Sequence, residues 1–424
     1  MIKSISTLSP YLADSFSGPV LYAYVWWILR CACHSRLTTL YFLARDGYLL
    51  KEIAERFCRV YHLPIQCRYL YCSRRSLRIP SYHLIGDEAY QLLLLGGYQV
   101  SIRSLLQRIG LTPEERAHVC ADCGLSVSNE DRLLNHAELE HVRQLLQASP
   151  VYRALVQERS RAAYQNAIGY LRQEGLLSCP SFALVDSGWT GSMQRSLRQL
   201  LESAGFQGQL EGFYFGMYAA QKSSDDGIYH TWYFSPSGPI RAKTVFCNNL
   251  FECILAAPHG MTCSYTLSEG IYVPELSPTP RTAQLQQVRR QISDILVYTE
   301  HRLAETTFQA FDQTALLRDT YRRFVRYMTA PTAGEATYYG NFLFSDDVNE
   351  TDQRALAAPE QLRYLNGYTL FARATRYLAR TQTPASPELF WPCGTAAFLP
   401  KWKQLWYCWN IRTWEWIRYV LHKA

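Results

Sequence analysis

The stretch "SFALVDSGWTGSMQRSLRQLL", Ser181 to Leu201, sets a carboxylate, two glycines and three hydroxyls between a run of buried-strand type and a helical pattern. A small-residue turn that opens a helix offers an anion free backbone N–H groups and the positive end of the helix dipole. Gly188 and Gly191 let a ligand approach the backbone closely, and Thr190 and Ser192 add hydroxyl donors. Asp186 would repel a bare phosphate. It suits a ligand that carries hydroxyls beside its phosphate, which is the description of a sugar phosphate. The segment from Asp186 through Ser187, Gly188, Trp189, Thr190, Gly191 and Ser192 is therefore expected to hold a phosphorylated ribose.

The elements that must position these residues are legible nearby. "TTLYFLARDGYLLKEIAERFCRVYHLP" reads as a short strand (Leu40–Ala44), a turn at Arg45-Asp46-Gly47 and an amphipathic helix, since Leu49, Leu50, Ile53, Ala54 and Phe57 recur at helical spacing. "IQCRYLYCSRRSL" is a second strand, Cys67–Cys72, ending on Ser73-Arg74-Arg75. Together they make a strand-helix-strand unit of the length a parallel crossover needs. The opening quotation supplies a third strand at 182–185, and Gly212–Tyr218 is a further candidate. Residues 85–178 read as helical throughout. "YVPELSPTPRTA", with three prolines, reads as a linker, and 281–328 and 352–382 as helices.

Bulk composition narrows the class. The chain has 424 residues, 48% apolar and 19% charged, which is long for one domain and argues against extensive disorder. The net charge of +7 suits an anionic substrate or an acidic membrane surface, while the absence of a concentrated basic run speaks against nucleic acid. Of the 13 cysteines only Cys120 and Cys123 form a CxxC, and no second pair completes a zinc set. With no secretory signal in the sequence, free thiols in a reducing cytoplasm are expected. "GPVLYAYVWWIL", Gly18–Leu29, is too short to span a bilayer and is expected to be a buried helix. Six of the ten tryptophans (Trp391, Trp402, Trp406, Trp409, Trp414 and Trp416) fall at the C-terminal end, among several Lys and Arg. Two readings stay open there: a membrane-interface segment, or a cap on the core.

The segment after the 182–185 strand resembles the phosphoribosyl-pyrophosphate (PRPP) loop of type I phosphoribosyltransferases, in which two acids precede a small-residue turn opening a helix. Here Ser187 stands at the second acid and bulky Trp189 sits mid-loop. The family's earlier strand, which ends in a pyrophosphate-gripping loop, is similar to "LYFLARDGYLLKEIAERF" followed by "YLYCSRR". The set "FLARDGYLL", "YLYCSRRSL", "VDSGWTGSMQ" and "ECILAAPHGMTCSY" also resembles a narrower family, the large domain that accompanies haloacid-dehalogenase-type phosphatases in bacterial polysaccharide gene clusters. That resemblance covers roughly residues 16–270. The phosphatase signature itself is not met, since Tyr48 stands where a second Asp is needed after Asp46.

The resemblance implies an α/β fold with a type I phosphoribosyltransferase-like parallel sheet core, a large helical insertion and a mainly helical C-terminal region. The domains implied are 1–272, with a hood over the site at about 85–178, and 280–424. It implies transfer of 5-phosphoribose from PRPP to a sugar hydroxyl of a growing glycan, such as an O-antigen or capsule chain, with inversion and release of pyrophosphate. A separate phosphatase then removes the phosphate. Asp186 would take the ribose and Ser187–Ser192 the phosphate. Arg45, the Gly47 backbone, Arg74 and Arg75 would hold pyrophosphate, a task that suits the planar arginine fork. Mg²⁺ is expected on PRPP itself rather than on dedicated side chains. A sugar hydroxyl needs a general base, for which Asp46 and Glu252 are the candidates and His259 a third. Each also has a plain reading: a solvated strand end for Arg74 and Arg75, an internally paired turn for Arg45–Gly47, a structural bond for Asp46, Glu252 and His259. The location implied is the cytoplasm, with the inner face of the cytoplasmic membrane as the alternative. Two other functions stay open, a phosphoribosyltransferase with a nucleobase-type acceptor and a non-catalytic scaffold of polysaccharide assembly.

Overall fold

Strand β1 (Thr39–Leu43) is buried along its whole length and is paired on both sides. The computed structural model of the chain describes residues 5–95, 100–179, 181–219, 227–279, 282–310, 312–345, 353–378 and 388–421. β1 pairs with β2 (Gln66–Leu70) on one edge and with β3 (Phe182–Trp189) on the other. Beyond β3 lie β4 (Glu211–Met217) and β5 (Ile228–Phe234), giving a five-stranded parallel sheet in the order β2-β1-β3-β4-β5.

The sheet divides two cores because side chains alternate along each strand. Leu40, Phe42, Ala183 and Val185 face one core with α1 (Gly18–His34) and α2 (Gly47–Tyr61). Tyr41, Leu43, Phe182 and Leu184 face the other, against α4 (Pro150–Gln173) and α5 (Ser192–Ser203). Between β2 and α4 the chain enters α3 (Arg74–Ser81), capped by a reciprocal Ser73–Ser76 box, and then a group of short helices. That group packs around its own buried residues, among them Leu105, Leu106, Val119 and Leu146. Helix α4 ties it to the sheet, with Tyr152 and Val156 in the insertion core and Ala167 and Leu171 under the sheet.

Past β5 come α6 (Asn248–Ile254), a hairpin of β6 (Thr262–Ser268) and β7 (Ile271–Leu276), and helices α7 (Thr282–Glu305) and α8 (Gln313–Tyr327). The C-terminal helices do not build a separate core. Val288, Ile295, Phe324, Tyr339 and Trp391 pack in the same cluster as Phe16, Tyr24 and Phe42.

Several local expectations need correction. The linker expected from Tyr272 begins instead as strand β7, and the positive φ of Glu269 and Gly270 makes the hairpin turn that was missed. Strand β5, rich in aromatic and β-branched residues, was not anticipated. The expected helix 352–382 begins instead with a short strand, Arg354–Ala355, followed by a 3₁₀ stretch (Pro359–Tyr368) and α9 (Leu370–Leu378); 352 and 379–382 lie outside the described residues. Residues 18–34 form the expected buried helix, and among the described residues no helix is long and apolar enough to cross a membrane.

Candidate functional site

The strand order reverses at β1: its crossover to β2 goes one way, and the chain returns to β3 on the other side. In open parallel sheets, ligands bind beyond the carboxyl ends of the strands at such a switch point. Here a cavity of about 250 Å³ occupies that place. It is lined by Arg45 and Asp46 after β1, Ser73 and Arg74 after β2, and Asp186–Thr190 with Ser192 at the end of β3. Asn248, Asn249 and Glu252 of α6 close another side. The two turns singled out in the sequence therefore face one another.

They are also joined. The Ser187 hydroxyl donates a short hydrogen bond to the Asp46 carboxylate, so the residue at the place of a second acid links the loops. Trp189 explains itself differently. Its ring is buried among Phe234, Phe246 and Phe251, and its indole N–H donates to Glu252 at 2.7 Å. The bulky residue thus holds the carboxylate of α6 at the cavity wall.

The small-residue loop is shorter than expected. β3 continues through Trp189, because Gly188 and Trp189 still pair with Gly216 and Met217 of β4. The turn proper is only Thr190-Gly191, and α5 starts at Ser192. Gly188 has φ +112°, and a Cβ there would stand 2.3 Å from the Gly216 carbonyl oxygen. Gly191, at φ +68°, leaves room for the Tyr229 ring rather than lining the cavity. The N-terminal end of α5, with Thr190, Ser192 and Met193 at the cavity, keeps the anion-favouring character read from the sequence.

The arginines separate. Arg45 and Arg74 line the cavity, whereas Arg75 is not among its lining residues and lies beside Gly110 of the helical insertion. Gly47 also stays out of the wall. A Cβ there would meet the Phe42 backbone at 2.6 Å, so glycine serves the packing of α2 on β1. Among the described residues, none from 82 to 178 lines this cavity or its neighbour. Phe344 and Ser345, from the C-terminal part of the chain, line both.

Three carboxyl groups share the site. Burial pushes Asp186 up to about 8, and the Asp46 charge adds to it, while the Ser187 backbone N–H and Arg74 pull the other way. Glu252 is pushed up to about 7 by burial and then by Asp46, against Arg74, the Trp189 hydrogen bond and Arg45. Asp46 is raised by burial, with the Ser187 hydroxyl, Arg45 and Arg74 opposing. Like charges crowded in a dry site favour protonation until a cation or hydroxyl donors arrive. These hard oxygen donors fit Mg²⁺ in kind. Among the described residues no three His, Cys, Asp or Glu side chains are grouped to hold a metal, so the ion's remaining positions would fall to water or ligand oxygens.

A second cavity of about 360 Å³ adjoins the first. Arg45, Asp46, Glu252, Phe344 and Ser345 border both, and Gln284, Ser277, Thr279 and Phe342 extend the second. His259 lines it too, but both ring nitrogens are engaged: Nε2 with the Tyr69 hydroxyl at 2.7 Å and Nδ1 with the Gly260 carbonyl at 2.8 Å. Burial lowers its pKa, so the ring is neutral, with Nδ1–H donating and Nε2 accepting. That occupation favours the structural reading of His259.

Sequence reading missed Asn248 and Asn249, although their place four and three residues before Glu252 was a usable signal. It also missed Phe344 and Ser345, for which no local signal exists. The peptide between Ala44 and Arg45 is cis. Comparison with protein-family models and with curated proteins finds no match.

Proposed function

We propose that the chain transfers 5-phosphoribose from PRPP to a hydroxyl of a sugar acceptor. The observation that carries this reading is the facing of the Asp186–Ser192 and Arg45–Asp46 segments across one cavity, joined by the Ser187–Asp46 hydrogen bond. The type I phosphoribosyltransferase-like identity of the sheet belongs to the same proposal, supported by its parallel order and switch point.

The 5-phosphate lies at the N-terminal end of α5, where unpaired N–H groups and the Thr190 and Ser192 hydroxyls suit it. Asp186 meets the ribose hydroxyls. With its pKa near 8 it is protonated at neutral pH and can both donate to and accept from them. Arg45 and Arg74 take the pyrophosphate, and Asp46, oriented by Ser187, stands beside them. Mg²⁺, when bound, offsets charge that develops on the departing pyrophosphate.

The bond from the anomeric carbon to the pyrophosphate oxygen breaks, and its electron pair leaves with that oxygen. The acceptor oxygen forms the new bond from the opposite face, inverting the centre from α to β. Its proton passes to a carboxylate. Glu252 is the better placed of the two candidates, since it borders both cavities, is held by Trp189, and titrates near 7. The acceptor sugar enters through the second cavity, whose amide, hydroxyl and aromatic lining suits a neutral sugar ring.

The test is pyrophosphate release from PRPP with Mg²⁺ and a panel of oligosaccharide acceptors. Acceptor-dependent release, abolished in Asp186→Ala with the fold intact by circular dichroism, is the expected result. Turnover with free nucleobases in place of sugars overturns the acceptor assignment. Absence of PRPP binding in calorimetry overturns the enzyme reading and leaves a scaffold.

A further inference from the structure

The ten tryptophans divide sharply by position. Trp26, Trp27, Trp189, Trp232, Trp391 and Trp414 are buried, whereas Trp402, Trp406, Trp409 and Trp416 are exposed, all four on helix α10 (Lys401–Leu421). Capping the core thus accounts for Trp391 and Trp414 and leaves the other four unexplained. Gln404, Cys408 and Trp414 form the inner face of α10. The outer positions 402, 405, 406, 409, 416 and 420 recur at helical spacing, so they make one apolar stripe. Trp402 is 68% and Trp409 59% exposed.

The neighbouring helix α9 enlarges the apolar surface. It joins α10 through the Leu370 N–H, which donates to the Asn410 side chain at 3.0 Å, and through a Tyr377–Trp414 edge contact. On it Phe371 is 80% and Leu378 79% exposed. Exposed apolar surface concentrated on two adjoining helices marks an interaction site rather than an ordinary free surface.

The charge pattern selects the occupant. α10 carries Lys401, Lys403, Arg412 and Arg418 against a single acid, Glu415, which pairs with Arg418 at 2.6 Å. The Lys403 ammonium sits 5.2 Å from the centre of the Trp402 ring. An indole at headgroup depth with a cation beside it matches an anionic membrane surface, where both find partners. A second copy of the chain would set these cations against their own kind, which is unfavourable. α10 is not apolar enough to span a membrane, so it would lie along one.

We propose that the α9–α10 face seats the protein on an anionic lipid bilayer, with the tryptophan stripe of α10 in the headgroup plane. This holds whether or not the phosphoribosyl reading stands; with it, the surface brings the enzyme to where a lipid-linked acceptor would be presented.

The test is co-sedimentation of the full chain with vesicles of phosphatidylcholine alone and of phosphatidylcholine with phosphatidylglycerol, with tryptophan emission recorded in parallel. Binding to the anionic vesicles with a blue shift is expected. Trp402→Ser/Trp406→Ser/Trp409→Ser should weaken it by about tenfold or more, given the apolar area removed. Lys401→Gln/Lys403→Gln should erase the preference for anionic lipid. These side chains are exposed, so unchanged melting curves are expected for both variants. Wild-type protein that stays in the supernatant overturns the proposal, as does a triple variant that binds undiminished. A wild-type dimer by light scattering, lost in the triple variant and without vesicle binding, overturns it in favour of a second copy.

Discussion

Replacing Asp186 by asparagine should stabilise the protein without ligand while destroying its activity, and the stabilisation should grow with pH. The carboxyl is pushed from 3.8 to about 8, first by burial and then by the Asp46 charge. At ~1.36 kcal/mol per pKa unit, that shift represents on the order of 5 kcal/mol of folding free energy withheld once the acid is forced to ionise. An amide escapes the charge penalty but still needs hydrogen-bond partners in the same place, so about 2 kcal/mol should be recovered. Below about pH 4 the wild-type acid is protonated in both folded and unfolded chains, so only the hydrogen-bond cost of the amide remains and Asp186→Asn should be the less stable protein there. As pH rises, the unfolded acid ionises while the folded one keeps its proton. Wild-type stability is therefore lost progressively up to about pH 8 and is flat above it. Asp46 and Glu252 are raised too, so both proteins should slope downward, the wild type more steeply. The assay is a series of thermal melts from about pH 5 to about pH 9, in which the variant's advantage should grow to about 2 °C. A gap that does not widen with pH, or an Asp186→Asn protein that melts lower throughout, would refute the account of a charge-crowded site.

Three further outcomes follow from the same geometry. Glu252→Gln keeps an oxygen for the Trp189 N–H, so PRPP binding should persist while acceptor-dependent turnover falls by ~10²–10⁴; in the wild type the rate should rise with pH through about 7 as this base loses its proton, and that limb should vanish in the variant. Arg74→Ala should raise KM for PRPP by about tenfold or more, whereas Arg75→Ala, beside Gly110 and away from the cavity wall, should leave KM unchanged in the same steady-state assay. Gly188→Ala should lose ~2 kcal/mol or more of stability from its left-handed φ and the approach to the Gly216 oxygen; an unchanged melting temperature would mean β3 does not continue past Asp186 as described.

The sequence by itself determined the local units and the chemistry they carry. Strand-turn-helix patterns at 40–57 and 182–201 follow from neighbouring residues: an apolar run, a small or polar turn, then apolar residues at helical spacing. Those two stretches named Arg45, Asp46 and Asp186, and the segments around 67–75 and 248–253 named Arg74 and Glu252, all of which line the cavity. What only the tertiary structure decided is how these units meet. The pairing of β1 with β3, the Ser187–Asp46 bond and the grip of Trp189 on Glu252 join residues more than sixty positions apart. Sheet pairing and core packing between distant segments set such contacts, and no local pattern encodes them. The same holds for Phe344 and Ser345, which line both cavities, and for the four tryptophans of α10. Their number near the C-terminal end left a membrane-interface segment and a cap on the core both open, and the helix sets the four on one apolar stripe. That it faces outward was decided when the opposite side of the helix was taken up by the core.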